Sequence, residues 1–112
     1  MKCTTSNVIQ YVENHYHEKI YIAELAKTCL ISEYQFSRAF KRELGVTFRT
    51  YLVNYRLDKA CELLNNSMLS VGDVSFAVGF LDHSYFTRMF KRRVGISPSE
   101  YRLGNTKLMS AL

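Results

Sequence analysis

The 112-residue sequence repeats itself. Displaced by 50 positions, it sets Phe36 on Phe86, Arg38 on Arg88, Phe40 on Phe90, Lys41 on Lys91, Arg42 on Arg92, Gly45 on Gly95 and Tyr51 on Tyr101. Most of these identities fall in one Phe-x-Arg-x-Phe-Lys-Arg block, which shared composition does not produce, so the chain carries one unit twice. Its architecture must be a pair of related halves.

Each copy has the same local grammar. Ser32 opens a helix with Gln35 three residues on, a capping box that satisfies orphan donors reciprocally, and Asp82 holds the equivalent place in the second copy. Phe36, Phe40 and Leu44 recur at i, i+4, i+8, as do Phe86, Phe90 and Val94, so each helix has one buried stripe. Gly45 and Gly95 stand where a left-handed residue stops the helix. Upstream of each lies a shorter apolar-periodic segment, Ile22 to Thr28 and Val71 to Val78, the second opened by Ser70 with Asp73 three residues later. Two short helices joined by a tight turn, the second basic, make a helix-turn-helix.

Between the copies, Thr47 to Asn65 contains no Gly or Pro and carries Phe48, Tyr51, Leu52, Tyr55, Ala60, Leu63 and Leu64, which predicts one continuous helix. Its length of about 28 Å is close to the spacing of roughly 34 Å between successive major grooves on one face of DNA. A first helix runs from Ser6 to Tyr16, with Val8, Ile9, Val12 and Tyr16 inward, and a last one starts at Ser97-Pro98-Ser99-Glu100, with cap, N1 proline and capping-box Glu in register. The expected fold is all-α, with seven helices forming two helix-turn-helix subdomains joined by a long linker helix. The expected boundaries are 6–46, the linker 47–66, 67–103, and a C-terminal tail over 104–112.

With the phenylalanine stripe buried, the helix at about 33–44 exposes Tyr34, Ser37, Arg38 and Lys41. The helix at about 83–94 exposes Ser84, Thr87, Arg88 and Lys91, flanked by His83 and Tyr85. Both faces place an Arg between small hydroxyl residues on its N-terminal side and basic residues on its C-terminal side, an order that suits base edges first and phosphates later. Arg38 and Arg88 are the candidates for bidentate contact with guanine O6 and N7. Lys41, Arg42, Lys91, Arg92 and Arg93 grip phosphate or face solvent. A basic helix end can also merely complement the macrodipole. That reading does not require the same face to recur 50 residues later.

The net charge of +5 fits a polyanionic partner but does not establish one. Cys3, Cys29 and Cys61 are odd in number and widely spaced, without the close pairing of a zinc or disulfide framework, which points to a reducing, cytoplasmic compartment. No signal segment and no bilayer-length apolar run is present, so no membrane is expected. An enzyme would need converging nucleophiles, acids or ligands, and the candidates are poor. His15 and His17 would project about 200° apart on a helix, which does not favour a shared metal. No phosphate-cradling glycine loop appears, and neither metal nor cofactor is expected. The aromatic content could suggest base stacking on RNA or single strands, but the phenylalanines are spaced for a core. The remaining rival to a DNA binder is a helical protein-interaction module with only non-specific DNA affinity.

The sequence resembles the DNA-binding domain of the AraC/XylS family of bacterial transcription regulators. The similarity is strongest in Val78-Gly79-Phe80, in Asp82 through Arg92 with its Ser84-Tyr85-Phe86-Thr87-Arg88 centre, in Gly95-Ile96-Ser97-Pro98 and in Tyr101-Arg102. A weaker first copy, Leu25-Ala26 through Ser32, Phe36, Arg38, Phe40-Lys41-Arg42 and Gly45, also fits, as does the linker's Tyr55-Arg56-Leu57 with Ala60 and Leu63-Leu64. The resemblance spans about residues 6–103. It implies two recognition helices in adjacent major grooves of promoter DNA and, often, activation through contact with RNA polymerase. It places base reading at Tyr34, Ser37 and Arg38 and at His83, Ser84, Tyr85 and Arg88. It also implies a sensor or receiver domain elsewhere, so that a fragment of a larger protein is favoured over a stand-alone regulator, located in the cytoplasm at the nucleoid. Two positions depart from the family. Leu30 stands where the first turn commonly has glycine, which predicts either a strained left-handed leucine, at about 1 kcal/mol, or a turn of different shape. Ser75 stands where a small apolar residue is usual.

Overall fold

The structure, a computed structural model, describes the backbone of residues 4–111 and the side chains of residues 4–104. Seven helices and no strand occur among the described residues: α1 (Thr5–His15), α2 (Ile22–Thr28), α3 (Glu33–Leu44), α4 (Phe48–Asn66), α5 (Val71–Ala77), α6 (His83–Val94) and α7 (Pro98–Ala111). They form two compact units, Met1–Val53 and Asn54–Leu112, with the division falling inside α4. The backbone of α7 continues as helix across Gly104 to Ala111, through most of the segment expected to be a tail.

In the first unit Val8, Val12 and Ala26 bring α1 and α2 onto the stripe of α3. Phe36, Phe40 and Phe48 form its aromatic centre, with edge-on contacts of 5.8 Å between Phe36 and Phe48 and 5.3 Å between Phe40 and Phe48. The second unit is organised on Phe86 and Phe90, both 0% exposed, with Val74, Val78, Phe80, Leu57, Ala60 and Leu64 around them. The repeat extends to ring geometry. Tyr51 meets Phe40 at 5.6 Å and 71°, and Tyr101 meets Phe90 at 5.7 Å and 74°.

The helix starts follow the caps. Ser32 and Gln35 exchange hydrogen bonds of 3.1 and 3.0 Å. Asp82 Oδ1 accepts from the backbone N–H groups of Ser84 and Tyr85, Ser70 Oγ from Asp73, and Ser97 Oγ from Glu100. Gly45 and Gly95 end α3 and α6 at φ 78° and 98°.

The two turns do the same job with different residues. After α2, the N–H of Leu30 donates to the Lys27 carbonyl and that of Ile31 to Ala26; after α5, Gly79 donates to Phe76 and Phe80 to Ser75. Both closures consume helix-end carbonyls and require a residue with positive φ. Gly79 meets this at φ 107°, and in the first unit Leu30 takes it at φ 60° with its side chain 83% exposed. Of the two expectations for Leu30, the strained leucine is the one observed. The second turn also has one residue more, Leu81, between the closure and the cap Asp82. Ser75 is buried on α5, as a small residue at a core position must be.

Cys29 is disulfide-bonded, which corrects the reading of unpaired cysteines, and Cys61 is a half-buried free thiol. Pairing depends on how the fold brings sulfurs together and not on sequence spacing. Cys3 lies outside the described residues. Burial pushes the Cys61 thiol up, against the smaller opposing influence of a hydrogen bond with Tyr101.

Phe90→Ala is expected to cost about 3–5 kcal/mol, read as a loss of unfolding free energy in urea; a loss below about 1 kcal/mol would mean that the second core does not depend on this ring. Leu30→Gly removes left-handed strain at little loss of burial, and we expect a net stabilisation of about 0.5 kcal/mol after the entropy of glycine is offset. Gly79→Ala is expected to lose about 1–2 kcal/mol, and equal responses at the two turns would overturn the comparison.

Candidate nucleic-acid interface

On α3, with Phe36 and Phe40 inward, Arg38 lies about 200° and Lys41 about 140° around the axis from Phe36. Tyr34, Ser37, Arg38, Lys41 and Arg42 are all exposed. With Thr47 they line an open hollow of about 460 Å³ whose wall contains three basic side chains and no acidic one. Thr47 was not anticipated. Its hydroxyl accepts from the Thr50 N–H at 3.2 Å, capping the helix that follows, and the 50-residue register pairs it with the cap Ser97, which is the signal that could have found it.

On α6, His83, Ser84, Arg88, Lys91 and Arg92 are exposed, while Tyr85 and Thr87 are half-buried. Thr87 donates its hydroxyl to the His83 carbonyl at 3.0 Å. The His83 ring leans on Phe86 at 6.3 Å. The rings of Tyr34 and Tyr85 each lie under an arginine of their own helix, with Arg38 Cζ 5.5 Å and Arg88 Cζ 5.6 Å from the ring centroids.

Arg93 has a different environment from the other basic residues. Its Nε and Nη2 donate to the two carboxylate oxygens of Asp58 on α4 at 3.0 and 3.1 Å. Seven residues after Phe86, it lies within about 20° of the buried stripe, so it faces α4 and not the side of Arg88 and Lys91. The bond to Asp58 also raises the Arg93 pKa above its ordinary value. Arg93, expected among the phosphate contacts, is thus placed against Asp58, as its spacing from Phe86 foreshadows. His15 bonds Glu18 at 2.6 Å and stacks on Tyr11 at 4.3 Å.

Two short-turn helix pairs, each with a basic outward face on its longer helix, define a tandem helix-turn-helix domain. A family model described as a helix-turn-helix domain matches residues 25–104. The chain is 36% identical over 92 residues to the MmsAB operon regulatory protein of Pseudomonas aeruginosa, covering 82% of this chain and 30% of that protein. Among solved structures it is similar to the DNA-binding domain of AdpA, a global transcriptional factor, in complex with a target DNA, with TM-score 0.84 and 29% identity over 89% of this chain and 90% of that one. A transcriptional regulator from Chromobacterium violaceum, described as an AraC-type DNA-binding domain-containing protein, matches with TM-score 0.82 and 25% identity over 90% of each chain. The chain belongs to the AraC-type helix-turn-helix family. It spans about a third of the length of the first curated relatives it matches.

Because the Arg93–Asp58 pair is largely exposed, Arg93→Gln is expected to lower stability by only about 0.2–1 kcal/mol, and Asp58→Asn in that background should add almost nothing. Thermal unfolding of the four-member set checks this, and additive losses would mean that the two groups act independently.

Proposed function

We propose that this chain is the DNA-reading part of a transcription regulator that binds double-stranded promoter DNA sequence-specifically, with α3 and α6 entering adjacent major grooves. The observation that carries the reading is the arginine-centred face that recurs at the same register of both helices, opposite their phenylalanine stripes. Membership of the AraC-type family and similarity to a domain solved on its target DNA support it. Arg38 and Arg88 read guanine edges, and Ser37, His83, Ser84 and Thr87 make shorter-range contacts with neighbouring bases. Lys41, Arg42, Lys91 and Arg92 contact phosphate and set the register on the duplex. Tyr34 and Tyr85 share these faces.

The protein acts by binding and not by catalysis. The greater length of its relatives and the resemblance in sequence support a whole protein with a separate sensor or receiver domain, one that activates transcription by contact with RNA polymerase in the cytoplasm, at the nucleoid. Cysteine usage no longer bears on that location, since Cys29 is paired. Among the described residues no helix is long and apolar enough to cross a membrane.

The test is a binding selection on random duplexes at about 150 mM salt, where non-specific phosphate attraction is much reduced. The parent chain should recover a motif of two blocks about one helical turn apart, and the double variant Arg38→Ala, Arg88→Ala should recover none. Lys41→Ala should instead weaken all sequences alike and reduce the salt slope by about 1. Equal, unselective binding by parent and double variant would remove the two-groove reading in favour of a protein-interaction module.

A further inference from the structure

A guanidinium that reads a guanine edge must hold its plane in the groove, and a long free side chain loses rotamer freedom on docking. In both units that freedom is already restricted. Arg38 Nη1 donates to the Tyr34 phenol oxygen at 3.0 Å while its guanidinium lies over the ring at 5.5 Å. Arg88 lies over the ring of Tyr85 at 5.6 Å.

These supports are not copies of each other. The 50-residue register aligns Tyr34 with Ser84 and Tyr85 with Gln35, so the tyrosines occupy different positions, four residues before Arg38 and three before Arg88. Both nevertheless bring a ring beneath the equivalent arginine. Their own anchoring also differs. Tyr34 is 69% exposed, so burial does not account for it. Tyr85 is half-buried, with its ring 6.1 Å from that of buried Phe80 and tilted 50° to it, so it has an aromatic neighbour on the core side.

We propose that Tyr34 and Tyr85 are positioning residues that set the groove-reading arginines Arg38 and Arg88, the first through ring and hydroxyl together and the second through a ring held on Phe80. The proposal rests on the DNA-reading function given above. It reassigns two residues that the sequence resemblance placed among the base readers, and it makes the two half-sites unequal in how firmly their arginine is preset.

The experiment is a double-mutant cycle on the full chain with the duplex recovered by selection, and its readout is the affinity ratio between each parental base pair and its substitutions. Tyr34→Leu should lower the preference about two- to fivefold at the base pair that Arg38→Ala flattens, and should change nothing further in the Arg38→Ala background. Tyr34→Phe, which keeps the ring and loses the hydrogen bond, should fall between. Tyr85→Phe should hold the parental preference, whereas Tyr85→Leu, which retains an apolar contact for Phe80, should lower it at the base pair read by Arg88. A melting temperature at the parental value shows that the Tyr85 variants remain folded; if Tyr85→Leu melts early, the Tyr85→Phe result and the Tyr34 cycle still decide. The inference is overturned if Tyr34→Leu alters a different base pair, or adds in full to Arg38→Ala, because the tyrosine then reads a base itself. It is equally overturned if affinity falls alike at every base pair. A parent chain without any preferred site overturns both this inference and the proposed function, whereas a site flattened by Arg38→Ala and untouched by Tyr34→Leu overturns the positioning role alone.

Discussion

Everything on the outward faces depends on two phenylalanines one turn apart inside each unit. Phe36 and Phe40 in α3, and Phe86 and Phe90 in α6, fix which side of each helix is inward. Burying a ring pair at this spacing leaves the residues two and five positions beyond the first phenylalanine on the opposite side, and those are Arg38 and Lys41, Arg88 and Lys91. The tyrosine of the following helix, Tyr51 or Tyr101, closes on the second ring. Core packing and presentation of the charged face are thus one constraint seen from two sides.

Much of this could be read from the residues because the signals are local. The stripes, the caps at Ser32, Ser70, Asp82 and Ser97, and the stop glycines depend on spacings of three to eight residues, where helix geometry leaves little choice. The repeat then carried each reading from one copy to the other. Contacts between residues far apart in sequence were not legible. The pairing of Cys29 and the ion pair between Asp58 and Arg93, 35 positions apart, depend on which helices the fold brings together. Arg93 illustrates what such a contact adds. Read as one of a basic run it joins Lys91 and Arg92, although its angular position on α6 already set it on the side of the buried stripe.

The turns show how two copies of one unit can diverge while keeping its geometry. Both close their first helix with the same pair of backbone hydrogen bonds, and that closure needs a residue at positive φ. Glycine adopts it without strain in the second unit, and in the first Leu30 takes it while its own N–H and that of Ile31 make the closing bonds. The second turn adds Leu81 and seats Phe80 in the core, whereas Ile31 at the matching place remains partly exposed.

That difference reaches the outward face. Phe80, once buried, offers a surface on which Tyr85 can rest, and Tyr85 in turn lies beneath Arg88. In the first unit Ile31 is no aromatic platform, and the ring under Arg38 comes instead from Tyr34 in the exposed first turn of α3, tied to the guanidinium by its hydroxyl. The ring that Arg88 overlies thus has a buried aromatic neighbour, one that Ile31 does not provide in the first unit. Two helices with the same arginine at the same register hold it by different means, so under the proposed function the two halves of a target site need not be read with equal stringency.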